Sequence, residues 1–328
     1  MNSTENYQHK TFPSISSIII LIKPITWFPP MWAFLCGAVS SSNISLDTSI
    51  ILLIGLILSG PIVCGMSQAI NDWCDKEVDA INEPSRPIPS GKVPGSWGFW
   101  IAVFMSIIGI VVSWFLGFWG FIATVIAISC AWAYSAEPLR LKRSGIIGPG
   151  IVALCYEGLP WFTGVAILTS QFPSITILLV AGFYAFGAYG IMVLNDFKAI
   201  EGDQKLGINS LPVTLGPKKA GLLSCLIMTL AQIVVIGIFV QLKMYFIAFI
   251  IFILLCTQIV AMSKMLKNPK KLVPWYNGTG VLSYVTGMMI SAIGLGYLIE
   301  IYVVFFTTLK YLGCLLYTSP SPRDRQKS

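Results

Sequence analysis

The sequence predicts an all-α, polytopic membrane bundle of nine transmembrane helices, and three observations predict it. Of 328 residues, 55% are hydrophobic and only 11% charged, against roughly 25% charged in a soluble domain. Nine apolar stretches approach the ~20 residues that a helix needs to cross a bilayer. Lys and Arg also alternate between connections: fourteen lie in four of them and one, Lys243, in the other four. That is the asymmetry expected when cytoplasmic loops carry the positive excess.

In order, the first stretch, 24–41, is interrupted by Pro24, Pro29 and Pro30. No short apolar core leads to a small-residue cleavage site, so it reads as a retained span and not a signal peptide. The second, 48–70, runs into a long polar connection, 71–96, that carries Lys76, Arg86 and Lys92. Spans 97–115 and 118–136 are separated by a few residues and lead to Arg140, Lys142 and Arg143. Spans 146–168 and 175–195 precede the second long connection, 195–219, with Lys198, Lys205, Lys218 and Lys219. After 220–241 and 244–262, Lys264, Lys267, Lys270 and Lys271 precede the last span, 279–305.

This alternation puts the N-terminus in the cytoplasm and the C-terminus outside, and leaves nothing for a soluble domain. Residues 1–315 form one transmembrane domain; Leu316 to Ser328 breaks into a polar run expected to be non-native or disordered. The net charge of +7 reports topology, so no nucleic-acid partner is expected. The eight cysteines form no CxxC pair and read as small core residues. The single histidine, His9, has no partner at metal-binding or acid–base spacing and reads as inert.

The two long connections carry the chemistry. Asn71-Asp72-Trp73-Cys74-Asp75-Lys76-Glu77-Val78-Asp79 opens the first. On a helix, Asn71, Asp72, Asp75 and Asp79 fall within an arc of about 100°, so one face presents three carboxylates and a carboxamide. Like charges at that spacing repel. A hard divalent cation relieves them, and Mg²⁺ typically takes one or two carboxylates plus substrate phosphates. A solvated helix end would explain one such cluster. A second, Asn195-Asp196-Phe197-Lys198-Ala199-Ile200-Glu201-Gly202-Asp203, repeats the Asn-Asp opening at the end of the sixth span. Asp203 returns to the face of Asp196 if the helix runs through Gly202. Two acidic clusters at one membrane depth suit Mg²⁺ held against a diphosphate leaving group. The interleaved Arg86, Arg140, Lys142, Arg143, Lys198 and Lys205 suit the phosphate oxygens. The repeated Asn-Asp opening also makes a pseudo-symmetric bundle plausible. Neither a P-loop nor a GxGxxG in strand–helix context supports nucleotide binding.

These residues resemble the UbiA prenyltransferases, which share nine spans and two aspartate-rich cytoplasmic motifs. Tyr134-Ser135 with Pro138 and Lys142 resembles the family's segment between the motifs. The runs NDWCDKEVDAINEPSRPIPSG from Asn71, NDFKAIEGDQKLGINSLPVTLG from Asn195, and Pro274-Trp275-Tyr276-Asn277 resemble the chlorophyll and bacteriochlorophyll synthase branch. Trp73, Lys92-Val93-Pro94-Gly95 and Thr214-Leu215-Gly216 look more like its bacterial side. Many UbiA members have Asp four residues after the first Asp of the second motif, where this chain has Ile200.

The resemblance implies Mg²⁺-dependent transfer of a C20 prenyl group, geranylgeranyl or phytyl, from its diphosphate to the propionate of bacteriochlorophyllide a. It places the enzyme in the inner or intracytoplasmic photosynthetic membrane, facing the cytoplasm. Implied metal ligands are Asp72, Asp75, Asp79, Asp196, Glu201 and Asp203. Implied diphosphate contacts are Asn71, Arg86, Tyr134, Arg140, Lys142, Asn195, Lys198 and Lys205. Asp72, Asp196, Arg86 and Lys142 are expected to carry catalysis. The propionate is already ionised near neutral pH, so no general base is needed. A transporter would place its charges near the bilayer midplane, and a pigment-binding protein would place His within spans. A UbiA enzyme with a quinone-precursor or haem acceptor is countered by the pigment-branch runs alone.

Overall fold

The computed structural model describes residues 12–318, which are helical apart from turns and one isolated bridge, Ser144 to Asn209. His9 and the tail beyond Thr318 lie outside the described residues. Among the described residues eight helices are long and apolar enough to cross a membrane, and a bent pair supplies a ninth. They are α1 (Pro24–Ser40), α2 (Ser49–Cys74), α3 (Trp97–Phe115), α4 (Phe118–Ser135), α5 (Ile147–Thr169), α6 (Ile175–Asn195), α7 (Pro217–Gln241), α8 (Tyr245–Met265) and α9 (Pro269–Thr318). Large apolar side chains such as Phe104, Trp114, Phe246 and Val260 stay exposed, as surfaces that meet lipid should.

The spans follow the predicted order, and the differences lie where backbone geometry departs from hydropathy. Ahead of α1 a short helix, Ile15–Leu21, capped by Ser14 through the Ser17 amide, meets it at 44°. The joint is Lys23, held in the left-handed region at φ 46° and ψ 74°, where a non-glycine residue is strained. At the other end, α9 starts at Pro269 and not at 279. Its first turns, PKKLVPWYNG, are too polar to register as membrane sequence.

Small residues let the helices approach closely. A Cβ added to Gly37 of α1 would strike the carbonyl of Trp161, and one added to Gly164 of α5 would strike that of Phe34. Such contacts matter because van der Waals packing, not the hydrophobic effect, holds helices together in lipid. The largest buried cluster joins α1, α5 and α6–α9 around Trp161, Tyr184, Tyr276 and Tyr284. Of the cysteines, Cys36, Cys64 and Cys225 are buried as expected, whereas Cys256 is exposed and does not belong to the core.

Two spans widen into π-helical turns, Leu58–Cys64 in α2 and Leu154–Gly158 in α5. The first contains Pro61, whose missing N–H breaks the regular ladder. The second carries Glu157, 3% exposed, whose Oε2 finds no hydrogen-bond partner among the described residues. An unpaired buried polar group of this kind costs about 1–3 kcal/mol. Glu157→Leu is therefore expected to raise the thermal midpoint in detergent by about 2–8 °C. A lower midpoint would mean that the carboxyl is already satisfied.

Candidate active site

Both acidic motifs lie at the same ends of their spans, where α2 and α6 leave the bundle. The first does not form one uninterrupted helix. The chain leaves helical geometry at Asp75 (φ −98°, ψ 5°), and a separate helix, Lys76–Asn82, follows. The carboxylates are consequently drawn to different cations. Asp72, 1% exposed, accepts on Oδ1 from Lys23 Nζ at 2.6 Å, with Arg86 at 3.5 Å. Asp79 Oδ2 lies 2.7 Å from the same Arg86, which also grips Glu83 at 2.7 Å through Nε and 2.7 Å through Nη2. Asp75 Oδ1 receives Lys142 at 2.5 Å and Arg140 at 3.0 Å. The kink at Asp75 is thus where one run of acids divides between two basic groups.

Charge in this network is balanced. Lys23, Arg86, Arg140, Lys142 and Arg143 pair with Asp72, Asp75, Asp79, Glu83 and Glu137. Burial pushes the Asp79 carboxyl above its usual value, with Arg86 opposing the shift. Burial likewise lowers the Lys142 ammonium against the pull of Asp75. For Arg86, burial works against the charged form, but Glu83, Asp72 and Asp79 outweigh it and hold the guanidinium well above its usual value.

The second motif is also broken. After Asn195 come a 3₁₀ turn, Asp196–Ala199, and a short helix, Ile200–Leu206, closed by Gly207 at φ 68°. The helix does run through Gly202, but the 3₁₀ turn precedes it, so Asp196 and Asp203 do not share one continuous helix; the charge of Asp203 still acts on Asp196. Tyr134, between the motifs, lies within range of Asp75, Asp196 and Asp203, and Lys198 within range of Glu83. Glu201 and Lys205 are exposed and make no ion pair among the described residues. Asn71 helps to line a cavity of about 210 Å³, together with Gln68, Tyr134, Ser135, Cys155 and Tyr156. The Tyr156 hydroxyl is held by Gln68 Nε2 at 3.0 Å.

The donors fit Mg²⁺. Among the described residues no three His, Cys, Asp or Glu side chains converge to hold a metal by themselves. However, the cations occupy one oxygen each of Asp72, Asp75 and Asp79, and Asp72 Oδ2 is buried without a hydrogen-bond partner among the described residues. Hard carboxylate oxygens completed by water and phosphate are what this ion takes.

Residues 26–277 match the UbiA prenyltransferase family. The chain belongs to that family. Among UbiA relatives, the bacteriochlorophyll synthase 33 kDa chain of Rhodobacter capsulatus is 54% identical over 286 residues, 86% of this chain and 94% of that one. The chloroplastic chlorophyll synthase of Oryza sativa is 33% identical over 283 residues, 83% of this chain and 75% of that one. A UbiA homolog from Archaeoglobus fulgidus, solved bound to DMAPP and Mg²⁺, has the same fold: TM-score 0.65 at 17% identity, covering 84% of this chain and 99% of that chain.

Sequence reasoning missed two residues of this UbiA site. Lys23, which pairs with Asp72, was legible as the lone cation in the apolar run SSIIILIKPITWF. Asn277 donates to Asn195 Oδ1 at 2.9 Å across 82 residues. It ends the Pro274-Trp275-Tyr276-Asn277 run that resembles the pigment branch, but nothing in that run pointed to a contact with Asn195.

Proposed function

We propose that this UbiA enzyme transfers a C20 prenyl group, geranylgeranyl or phytyl, from its diphosphate to the propionate carboxylate of bacteriochlorophyllide a. The observation that carries the reading is 54% identity across 94% of a bacteriochlorophyll synthase chain, against 33% to a chlorophyll synthase. The Lys and Arg asymmetry supports a site on the cytoplasmic side of the photosynthetic membrane.

In this mechanism the allylic C–O bond breaks heterolytically and its electron pair leaves on the diphosphate. An oxygen lone pair of the propionate then closes the ester bond, with no proton to remove. Mg²⁺ supplies neutralisation of the charge that develops on the leaving group. Asp72, Asp75 and Asp79 with Asp196 and Asp203 would hold it; Glu201, being exposed, is the weakest member of the expected set.

The ion pairs of the first motif are balanced at rest, so with substrate bound the carboxylates would hold Mg²⁺, and Lys23, Arg86, Arg140 and Lys142, which now pair with them, would be free for phosphate oxygens. Tyr134 and Asn71, on the cavity wall, orient the diphosphate end while the apolar bundle keeps water from the carbocation. Asn195, Lys198 and Lys205 supply the second side.

The test uses membranes containing the expressed chain, bacteriochlorophyllide a, geranylgeranyl diphosphate and Mg²⁺, with esterified pigment separated by chromatography. Metal-dependent ester, abolished by EDTA and formed in preference to the chlorophyllide a product, is expected. A folded preparation that binds the diphosphate yet esterifies no tetrapyrrole would remove the pigment acceptor.

A further inference from the structure

We infer that Asn277, outside both acidic motifs, is a third point of attachment for the metal–diphosphate unit. Its amide nitrogen fixes Asn195, and its amide oxygen is supplied to Mg²⁺ or to a metal-bound water. The inference rests on the Mg²⁺–diphosphate part of the proposed function and is independent of the acceptor.

Two carboxamides are oriented by their neighbours. Asn195 Nδ2 lies 3.7 Å from the sulfur of Met192, which can only accept. The nitrogen of Asn195 is thereby turned to the sulfur and its oxygen to Asn277, which donates to it through Nδ2 at 2.9 Å. Asn195 Oδ1 already has this donor, so the carboxamide oxygen left over is on Asn277. That atom, Oδ1, is buried and has no hydrogen-bond partner among the described residues.

A buried carbonyl oxygen is normally paired with a donor, an ordered water or an ion. A donor or a hard cation completes an amide oxygen, and Mg²⁺ with its retained waters offers both. Asn277 is also held firmly. Its neighbour Tyr276 is fully buried, with the hydroxyl accepting from Gln258 Nε2 at 3.0 Å, and Gln258 Oε1 in turn accepts from Gln232 at 2.8 Å. This buried chain from α7 through α8 fixes the start of α9, so the carboxamide is placed before substrate arrives. Groups that orient metal ligands in this way typically change metal affinity 10–100-fold when removed.

The test measures Mn²⁺ binding by electron paramagnetic resonance in the presence of inorganic diphosphate, with the full chain in lipid nanodiscs. Asn277→Ala is expected to raise the Mn²⁺ concentration for half-occupancy at least about tenfold, with the metal-free thermal midpoint unchanged. Asn277→Ser replaces it if the alanine variant does not fold. Asn277→Asp, which keeps an oxygen but loses the donor to Asn195, should recover most of the affinity. Unchanged Mn²⁺ affinity in Asn277→Ala would overturn the inference. So would a weakened affinity that Asn277→Asp does not recover, because the oxygen would then have no part. If the wild-type chain itself bound no Mn²⁺ with diphosphate, the metal–diphosphate reading would fail first and be recognised as the cause.

Discussion

Asp72→Asn is expected to lower turnover by at least about 10²–10³-fold, the scale on which removal of one preorganised charge-stabilising group is felt. Asp72 is the most enclosed carboxylate of the site, and its Oδ2 has no hydrogen-bond partner among the described residues. The substitution preserves shape and removes the charge that would be offered to Mg²⁺. It also strands Lys23 Nζ, 2.6 Å away, and weakens the hold on Arg86. Breaking a buried pair on one side typically costs about 3–5 kcal/mol, so loss of fold has to be separated from loss of chemistry. The double variant Lys23→Met with Asp72→Asn removes both partners and should restore much of the thermal midpoint while turnover stays low. Ester formation and melting, measured in all four members of this cycle, isolate the coupling. If Asp72→Asn kept more than about a tenth of wild-type turnover at saturating Mg²⁺, Asp72 would have no place among the ligands.

Hydropathy carried the architecture because the bilayer forces every spanning segment to satisfy its own backbone. Spans such as 175–195 and 97–115 needed only an apolar run of the right length, and both appear as helices with those bounds. The site was legible as composition and not as geometry. Asn71, Asp72, Asp75 and Asp79 share an arc only while the helix continues, and Asp75 ends it where Arg140 and Lys142 compete for its oxygen. That competition arises 65 and 67 residues away in sequence, so no local period contains it. The contacts of Lys23 and Asn277 were hidden for the same reason: Lys23 stood at the flank of a span and Asn277 in a run read only as a family resemblance until the fold carried each to an acidic motif.

Arg86 is where the same logic predicts the broadest failure. One guanidinium engages Glu83 through two nitrogens, Asp79 through a third and Asp72 at longer range. Lysine offers a single point charge in place of that planar fork. Arg86→Lys is therefore expected to lose roughly ten- to hundredfold in affinity for geranylgeranyl diphosphate, the equivalent of one charged hydrogen bond. Arg86→Ala should in addition change the pH dependence of stability. Burial already raises the folded-state value of Asp79 above 3.8, and Arg86 is what limits the rise. Without Arg86 the folded state binds that proton more tightly than the unfolded chain. Stability is then favoured below about 3.8 and lost as pH climbs through the raised value. Glu83, whose carboxyl Arg86 holds below 4.5, loses in the same variant a contribution that was present above 4.5 and lost on acidification. Both changes act in one direction, so the thermal midpoint of Arg86→Ala relative to wild type should worsen as pH rises from below 3.8 through 4.5 and on through the raised Asp79 value. Parallel midpoint curves for the two proteins would show that Asp79 and Glu83 do not depend on Arg86 for their charge, and the partner exchange proposed for the resting site would lose its central cation.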